Sequence, residues 1–276
     1  MTSHRESERG LSSEAGSHSG FFDDVRTTFA RWNVKKLREP FVLVFALVQP
    51  VVFLVLFSQV FGRLAAGAVP GGDYLAFLVP AIVIQAALIT AAGSGIGFVQ
   101  DVETGMFEKV LVSPVSRVAM FAGKASSDLL LILIPTFLMV GLGRVLGARI
   151  TTGLLGIVGI VAVVLVFSVW FVSVSYILGI TTGSSRVTGI STNLVQFPLL
   201  FASTAFVPEK ALPGWLQLVS SVNPVTYGVD AVRAIMLTGW TWDVIGRSLL
   251  VLGALDVVLG AVAVYFIDRA SSATVR

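Results

Sequence analysis

The feature that most constrains this chain is a set of long stretches without a single Asp, Glu, Lys or Arg. Four such stretches contain 23, 27, 36 and 22 residues, at 40–62, 74–100, 150–185 and 187–208. A helix needs about 20 apolar residues to cross the hydrocarbon core of a bilayer. Each stretch therefore predicts a transmembrane helix, and lipid is the solvent for most of the chain.

Two further spans are weaker in the sequence because each contains ionisable residues. One begins near Val118 and has Lys124 and Asp128 at its entry; the other runs from about 247 to 267 and contains Asp256. Only 13% of the 276 residues are charged, against about 25% in soluble domains, which excludes a water-soluble globule. We expect an all-α integral membrane protein with six transmembrane helices, at about 41–61, 74–98, 118–142, 154–180, 187–206 and 247–267.

The segments that flank these spans differ in composition. Residues 1–20 contain nine Gly or Ser and no aromatic residue, which predicts a disordered tail. Residues 21–39 place apolar side chains at three- and four-residue spacing among five basic ones, which predicts an amphipathic helix on the cytoplasmic membrane surface; a surface helix packed on protein is the open alternative. Residues 40–268 would form the transmembrane domain and residues 269–276 a cytoplasmic tail.

The distribution of basic residues predicts the orientation of the chain. With six spans, the side shared by the termini has 13 Lys and Arg and the opposite side has 6. Because cytoplasmic loops are enriched in Lys and Arg, both termini should be cytoplasmic. The formal net charge of +3 is small and does not predict a nucleic-acid partner.

Several kinds of catalytic site are excluded by residue type. The chain has no cysteine, and its two histidines, His4 and His18, are both in the polar tail. Thiolate or imidazole chemistry within the membrane is therefore impossible. Ser94 lies in Gly-Ser-Gly, which lacks the Gly-x-Ser-x-Gly frame of a hydrolase. We predict no catalytic residue and no metal site in this chain.

The loop after the second span is the main cytoplasmic feature. It combines acids and bases with apolar residues that fall on one side of a short helix ended by a proline. Such a segment can dock into a groove on a soluble partner, although a solvated loop is the alternative. Its candidate functional residues are Asp101, Glu103, Gly105, Met106, Phe107, Glu108, Leu111, Pro114 and Arg117.

The segment between the fifth and sixth spans is apolar but repeatedly interrupted by proline. A continuous span is not expected there, whereas short helices that enter the membrane part-way are allowed if protein or a water-filled cavity satisfies their backbone. We predict two short re-entrant or interfacial outer helices. The candidate residues of this segment are Pro208, Pro213, Trp215, Asn223, Pro224, Tyr227 and Arg233.

Four motifs, in order, resemble those of one family. The loop at 101–117 has the pattern acid-x-Glu-x-Gly followed by Leu-x-x-Pro-x-x-Arg, and the outer segment contains Val-Pro-Glu-Lys and Asn-Pro-Val-Thr-Tyr. Arg38-Glu-Pro and the Tyr-Leu-Ala-Phe-Leu-Val-Pro at 74–80 also fit. Over about residues 22–268 the chain resembles the type-2 ATP-binding cassette (ABC) export permeases, the family of daunorubicin-resistance, nodulation and polysaccharide-export permeases.

This resemblance implies the partners and the activity. The permease would act as a homodimer or heterodimer in the plasma membrane with two copies of a separate ABC ATPase, and 101–117 would couple to that ATPase. The outer helices would close the outer mouth. ATP and Mg would bind to the partner, so this chain needs no cofactor; it also lacks a phosphate-binding Gly-Lys-Ser/Thr loop. The cargo would be hydrophobic or amphipathic: a drug, a natural product, a lipid or a lipid-linked glycan.

Residues within the spans leave two readings open. An ionised carboxylate at membrane depth costs free energy. Asp256 therefore either contacts a cationic substrate or, when protonated, forms a hydrogen bond with a neighbouring helix. An ion-coupled secondary transporter that uses Asp256 is the alternative function. Asn193 and Gln196 of the fifth span would line the pathway or bond between helices. Glycines near 93–97, at 143 and 147, and at 179 and 183 predict close helix contacts.

Overall fold

The computed structural model describes residues 25–30, 32–33, 40–62, 67, 69–105, 117–148 and 150–273. Across these residues the chain is helical and contains no β-strand, which confirms the predicted all-α class. The predicted disordered tail, residues 106–116 of the predicted coupling loop and the last three residues lie outside the described residues.

Six longer helices and a pair of short ones make up the described chain, after a helical segment at 25–30 and 32–33. The helices are α1 (Pro40–Phe61), α2 (Tyr74–Glu103), α3 (Arg117–Val145), α4 (Gly153–Thr182), α5 (Ser185–Phe201), α6 (Gly214–Val222), α7 (Pro224–Arg233) and α8 (Trp242–Ala273). A π-helical turn, Ala234–Thr238, follows α7. The two short helices, α6 and α7, lie between the fifth and sixth long helices.

Four of these helices are long and apolar enough to cross a membrane: α2, α4, Gly123–Val145 of α3 and Trp242–Phe266 of α8. This makes the protein a multi-pass membrane protein. The helix α5 has only 17 residues. Its length of about 25 Å is shorter than the hydrocarbon core of a bilayer, which is about 30 Å thick. In α1 the described apolar part is Leu47–Phe61. The total of six spans therefore stays a prediction.

The centre of the molecule is α2, which packs against α1, α3, α4, α5 and α7. Its apolar window is 83% buried, which explains why its sequence is apolar on every side rather than amphipathic. The core around it includes Phe77 and Leu88 of α2 and Phe167 and Phe171 of α4. The helices α3, α4, α5 and α7 are therefore positioned relative to α2.

Small residues bring α2 and α4 into backbone contact. The Ser175 hydroxyl donates to the Ala92 carbonyl at 2.7 Å and accepts from the Gly95 N–H at 2.9 Å. A Cβ on Gly95 would overlap the Ser175 backbone, and one on Gly179 would lie 3.0 Å from the Gly95 carbonyl. Gly143 similarly abuts Val79. At these three glycines the predicted close contacts are confirmed.

Other glycines have a different role from the predicted one. Gly147 and Gly183 have positive φ values, 108° and 61°, and lie where α3 and α4 end. A left-handed residue after the last turn is the usual way for a helix to stop. No atom lies within 4 Å of a Cβ built on Gly93. The prediction of close helix contacts was therefore wrong at Gly147 and Gly183, and at Gly93 it stays a prediction.

The fifth helix ends at Phe201, five residues before the expected end of the span at 206. The Ser203 hydroxyl donates to the Leu200 carbonyl at 2.6 Å and accepts from the Ala205 N–H at 3.2 Å. Because such local side-chain bonds compete with the helical ladder, the chain turns here. The turn leads into the segment that carries α6 and α7.

Candidate coupling and gating sites

The predicted coupling residues lie at the two ends of the loop between α2 and α3. Asp101 and Glu103 are in the last turn of α2, Gly105 follows in a turn with a φ of 66°, and Arg117 begins α3. The other five predicted residues lie outside the described part of the chain: Met106, Phe107, Glu108, Leu111 and Pro114. The structure therefore locates the entry and the exit of the loop.

Glu103 contacts a helix that is distant in sequence. Its Oε1 accepts a hydrogen bond from the Ser185 backbone N–H at 2.9 Å. Ser185 is the first residue of α5, and the preceding residue, Ser184, makes no side-chain capping bond. Glu103 therefore supplies the cap that α5 lacks. The sequence pattern did not predict this contact.

A buried polar cluster lies close to the same end of the bundle. The Tyr176 hydroxyl donates to Asp128 Oδ2 at 2.7 Å, and Lys124 Nζ lies 3.5 Å from the same oxygen. The three residues are each 4% exposed. Because a buried charge is stable only when it is paired, Lys124 and Asp128 depend on each other. Their i,i+4 spacing in an otherwise apolar helix was the sequence signal for this pair.

The helical segment at 25–33 packs on the start of α3. The Ser127 hydroxyl donates to Asn33 Oδ1 at 3.2 Å, and Lys124 Nζ lies 4.5 Å from the centre of the Trp32 ring. Gly123 faces Thr28, where a side chain would collide. Trp32 of this segment thus packs on a buried lysine. Contact of this segment with the membrane surface stays a prediction.

On the opposite side of the bundle, the turn after α5 is held by Asn223 and Arg233. Asn223 is the N-cap of α7, accepting from the Val225 N–H at 2.9 Å, and its Nδ2 donates to the Leu199 carbonyl at 2.6 Å. Pro224 occupies the first helical position, which favours a proline. One amide side chain thus starts α7 and ties it to the end of α5.

Arg233 satisfies several backbone carbonyls at the same place. Its Nη2 donates to the carbonyls of Thr204 at 3.1 Å, Phe77 at 3.3 Å and Ala205 at 3.4 Å. Its Nη1 lies 3.0 Å from Asp230 Oδ1, and the guanidinium stacks 3.8 Å from the Phe77 ring. A guanidinium can serve so many acceptors because its donors form a planar fork. Arg233 joins α7, the turn after α5 and the start of α2.

Burial disfavours the charged forms of Asp230 and Arg233, and their mutual attraction opposes this effect. Burial raises the pKa of the Asp230 carboxyl, while the Arg233 guanidinium and the Thr204 hydroxyl act in the opposite direction. Burial also lowers the pKa of Arg233 to about 10, so the guanidinium stays protonated at neutral pH. Asp230 was not among the predicted site residues, although its i,i+3 spacing from Arg233 was visible in the sequence.

The remaining outer residues belong to α6 and its approaches. Pro208 precedes the short helix Glu209–Ala211, and Pro213 precedes α6. Trp215, in the first turn of α6, is 70% exposed. The Tyr227 hydroxyl donates to the Ser221 carbonyl at 2.7 Å, which holds α6 against α7. The predicted pair of short helices is thus present, and its entry into the membrane stays a prediction.

The predicted pathway residues are on two different helices. Asn193 and Gln196 are both in α5, Asn193 exposed and Gln196 only 2% exposed. Asp256 is half-buried in α8, which packs on α4 and α7. Within the described chain, Gln196 Oε1 and Asp256 Oδ1 are buried atoms without a hydrogen-bond partner. The two helices share α4 and α7 as neighbours.

Comparison with known proteins decides the family. Residues 24–237 match the family described as ABC-2 type transporter, which is most of the chain. This chain belongs to the ABC-2 type transporter family. The permease is 33% identical over 210 residues to the daunorubicin resistance ABC transporter permease protein of Streptomyces coeruleorubidus, covering 74% of this chain and 72% of that one. The predicted family is confirmed.

A second relative bears a similar name. The permease is 29% identical over 213 residues to a Mycobacterium tuberculosis protein named "Probable doxorubicin resistance ABC transporter permease protein", covering 73% of this chain and 72% of that one. The permease is therefore similar to membrane subunits whose names refer to drug resistance. The family match at 24–237 includes both candidate sites.

Proposed function

We propose that this permease is the membrane subunit of an ATP-driven exporter, with the 101–117 loop docked on a separate ABC ATPase. The family match carries the proposal. The described geometry supports it, because the loop begins and ends on α2 and α3, two helices that pack against each other. A movement imposed on the loop would therefore reach the centre of the bundle through α2.

The assembly we propose contains two permease chains and two ATPase subunits, in the plasma membrane, with both permease termini in the cytoplasm. ATP and Mg would bind to the ATPase, whose closure would switch the permease between inward-open and outward-open states. The α6–α7 pair would close the outer mouth. The Lys and Arg distribution supports this orientation, since the 101–117 loop is then cytoplasmic.

The proposed cargo is an amphipathic compound with a large apolar surface, of the drug or natural-product class. The names of the two relatives refer to daunorubicin and doxorubicin resistance, which supports this class over a lipid-linked glycan. An apolar cargo also suits a chain whose long helices are almost free of charge. Daunorubicin is therefore the first compound to test, and its fluorescence reports its movement directly.

A second candidate function is ion-coupled secondary transport through Asp256. The unpartnered Oδ1 of this half-buried carboxyl favours it, because an acid at membrane depth is a common site of proton or cation binding. Against it, the sequence shows no pair of similar halves with matched broken helices. The ATP-driven function therefore remains the proposal.

Purification of the tagged permease from its native membrane in mild detergent tests the proposal. We expect an ATP-binding subunit to co-purify in an equimolar amount, together with ATPase activity. A permease that purifies alone, in a preparation that shows proton- or sodium-dependent flux without ATPase activity, would contradict the proposal. That result would make Asp256 the leading functional residue.

A further inference from the structure

Hydrogen bonds hold α5 at both ends, and they come from the two sites described above. At the inner end, Glu103 accepts from the Ser185 N–H at 2.9 Å. At the outer end, Asn223 donates to the Leu199 carbonyl at 2.6 Å and Arg233 donates to the Thr204 carbonyl at 3.1 Å. One helix of 17 residues thus connects the start of the loop with the α6–α7 pair.

The inner attachment has a clear physical basis. The first N–H groups of a helix have no partner within the helix, and its N-terminus attracts negative charge. Glu103 provides both the acceptor and the charge, and it lies 82 positions before Ser185 in the chain. It is also only two residues before Gly105, where the backbone turns into the loop. A displacement of that turn therefore acts on α5 directly.

The packing of α5 permits such a displacement. Only one face of the helix is buried against the bundle, through Thr188, Thr192, Gln196 and Leu200. The opposite face is exposed: Ile190 is 62% exposed and Leu194 is 73% exposed. A helix fixed at its ends and packed on a single face can tilt with fewer lost contacts than α2, which is enclosed by five neighbours.

We propose that α5 transmits movement of the coupling loop to the outer α6–α7 pair, and that Glu103 is the positioning residue that attaches it at the inner end. This inference rests on the proposed function and adds a route to it. Movement of the loop shifts the end of α2, Glu103 shifts the N-terminus of α5, and the turn after α5 shifts Asn223 and Arg233. The helix α5 is thus a single element whose position both the coupling loop and the α6–α7 pair can influence.

Two substitutions remove the same bond from opposite sides. Glu103→Ala removes the acceptor, and Ser185→Pro removes the donor N–H. Proline suits the first position of a helix, and Ser184 already has the extended conformation, φ −135° and ψ 125°, that a following proline requires. Thr181→Val is the matched control, because the Thr181 hydroxyl bonds only to carbonyls of its own helix, Ile177 and Leu178.

The first readout is ATP-driven daunorubicin uptake by inside-out vesicles, at equal amounts of permease and co-purified ATPase. Each substitution should lower uptake about fivefold, the change in an equilibrium that corresponds to the free energy of a lost N-cap. Uptake by the double variant should be no lower than uptake by either single variant. Thr181→Val should leave uptake unchanged. Glu103→Gln, which keeps an acceptor oxygen, should restore most of the uptake.

A second readout follows α5 itself. The chain has no cysteine, so Phe201→Cys, at an exposed position at the outer end of α5, gives a single site for a water-soluble maleimide. ATP with vanadate should change its labelling rate in the parent protein. In the Ser185→Pro background this ATP-dependent change should disappear. If the bond between Glu103 and Ser185 had only a structural role, its loss would change the labelling rate equally with and without ATP.

The outcomes separate this inference from the function on which it rests. Full uptake by Ser185→Pro would overturn the inference, and reduced uptake by Glu103→Ala alone would mean that Glu103 acts on the ATPase directly. An ATP-dependent labelling change that persists in Ser185→Pro would also overturn it. If the parent protein has no co-purifying ATPase, the proposed function itself fails.

Discussion

At Gly105 the backbone turns out of α2 with a φ of 66° and its N–H bonds to the Val102 carbonyl at 3.0 Å. A side chain in this left-handed region costs about 1 to 2 kcal/mol, except for Gly and, to a lesser degree, Asn or Asp. We expect Gly105→Val to redirect the loop and to lower ATP-driven daunorubicin uptake about tenfold. Uptake by inside-out vesicles at equal abundance measures this.

Gly105→Asn is the matched control for that prediction, because asparagine tolerates the left-handed conformation. It should retain most of the uptake. Equal losses in the two variants would show that the size of the side chain matters rather than the backbone conformation, and full uptake by Gly105→Val would contradict a role for this turn.

Arg233 shows what one buried side chain contributes to the outer site. Arg233→Met would remove the Arg233 donor from three carbonyls and from Asp230, which would keep only the Thr204 hydroxyl, a loss of about 2 kcal/mol for buried groups that lose a partner. For a chain of this size the midpoint of thermal unfolding should fall by roughly 4 to 8 °C. Thermal unfolding of the purified permease in detergent tests this.

Arg233→Lys separates charge from shape in the same assay. Lysine keeps the charge but lacks the planar fork, so we expect it to recover less than half of the lost stability. Thr181→Val, on the other side of the bundle, should leave the midpoint unchanged. An unchanged midpoint of thermal unfolding in Arg233→Met would show that the contacts of Arg233 do not stabilise the fold.

The short helix α6 has an exposed face that is apolar in a regular pattern. Trp215, Leu218, Val219 and Val222 are spaced three and four residues apart and are each at least 42% exposed, while Ser220 is buried. This arrangement is typical of a helix that lies in the membrane interface with its apolar face in the acyl boundary. We therefore expect α6 to contact lipid.

Spin labels on single cysteines test that expectation. A label at Leu218→Cys should collide more with apolar oxygen than with a polar nickel chelate, and a label at Lys210→Cys, an exposed charged position in the short helix before α6, should show the reverse. Higher nickel accessibility at 218 than at 210 would place the apolar face of α6 in water and contradict the lipid contact.

Considered as a whole, the molecule follows the sequence closely where local physical rules decide. Long uncharged stretches could become only buried or membrane helices, and the prolines at 208, 213 and 224 predicted two short helices in place of one long one. The motifs that resemble the permease family also include Glu103, Asn223 and Arg233. Composition and local pattern predicted the helices, and the resemblance supplied these three candidate residues.

Contacts between distant segments could not be predicted in the same way. Nothing in a single sequence shows that Glu103 meets Ser185, or that Tyr176 donates to Asp128, because pairing across helices depends on how they pack. Gly147 and Gly183 illustrate a related limit: a helix-contact glycine and a helix-ending glycine look alike until φ is known. The segment that contains Trp32 shows a further limit, because an amphipathic pattern fits a membrane surface and a protein surface equally well.

The central claim, that this ABC-2 permease uses the ATP of a partner to move an amphipathic compound, is tested most directly by reconstitution. Permease and co-purified ATPase are placed in liposomes, and daunorubicin movement is followed with and without ATP. We predict movement that requires hydrolysable ATP and stops with vanadate. Movement driven by a proton or sodium gradient without ATP would contradict the account.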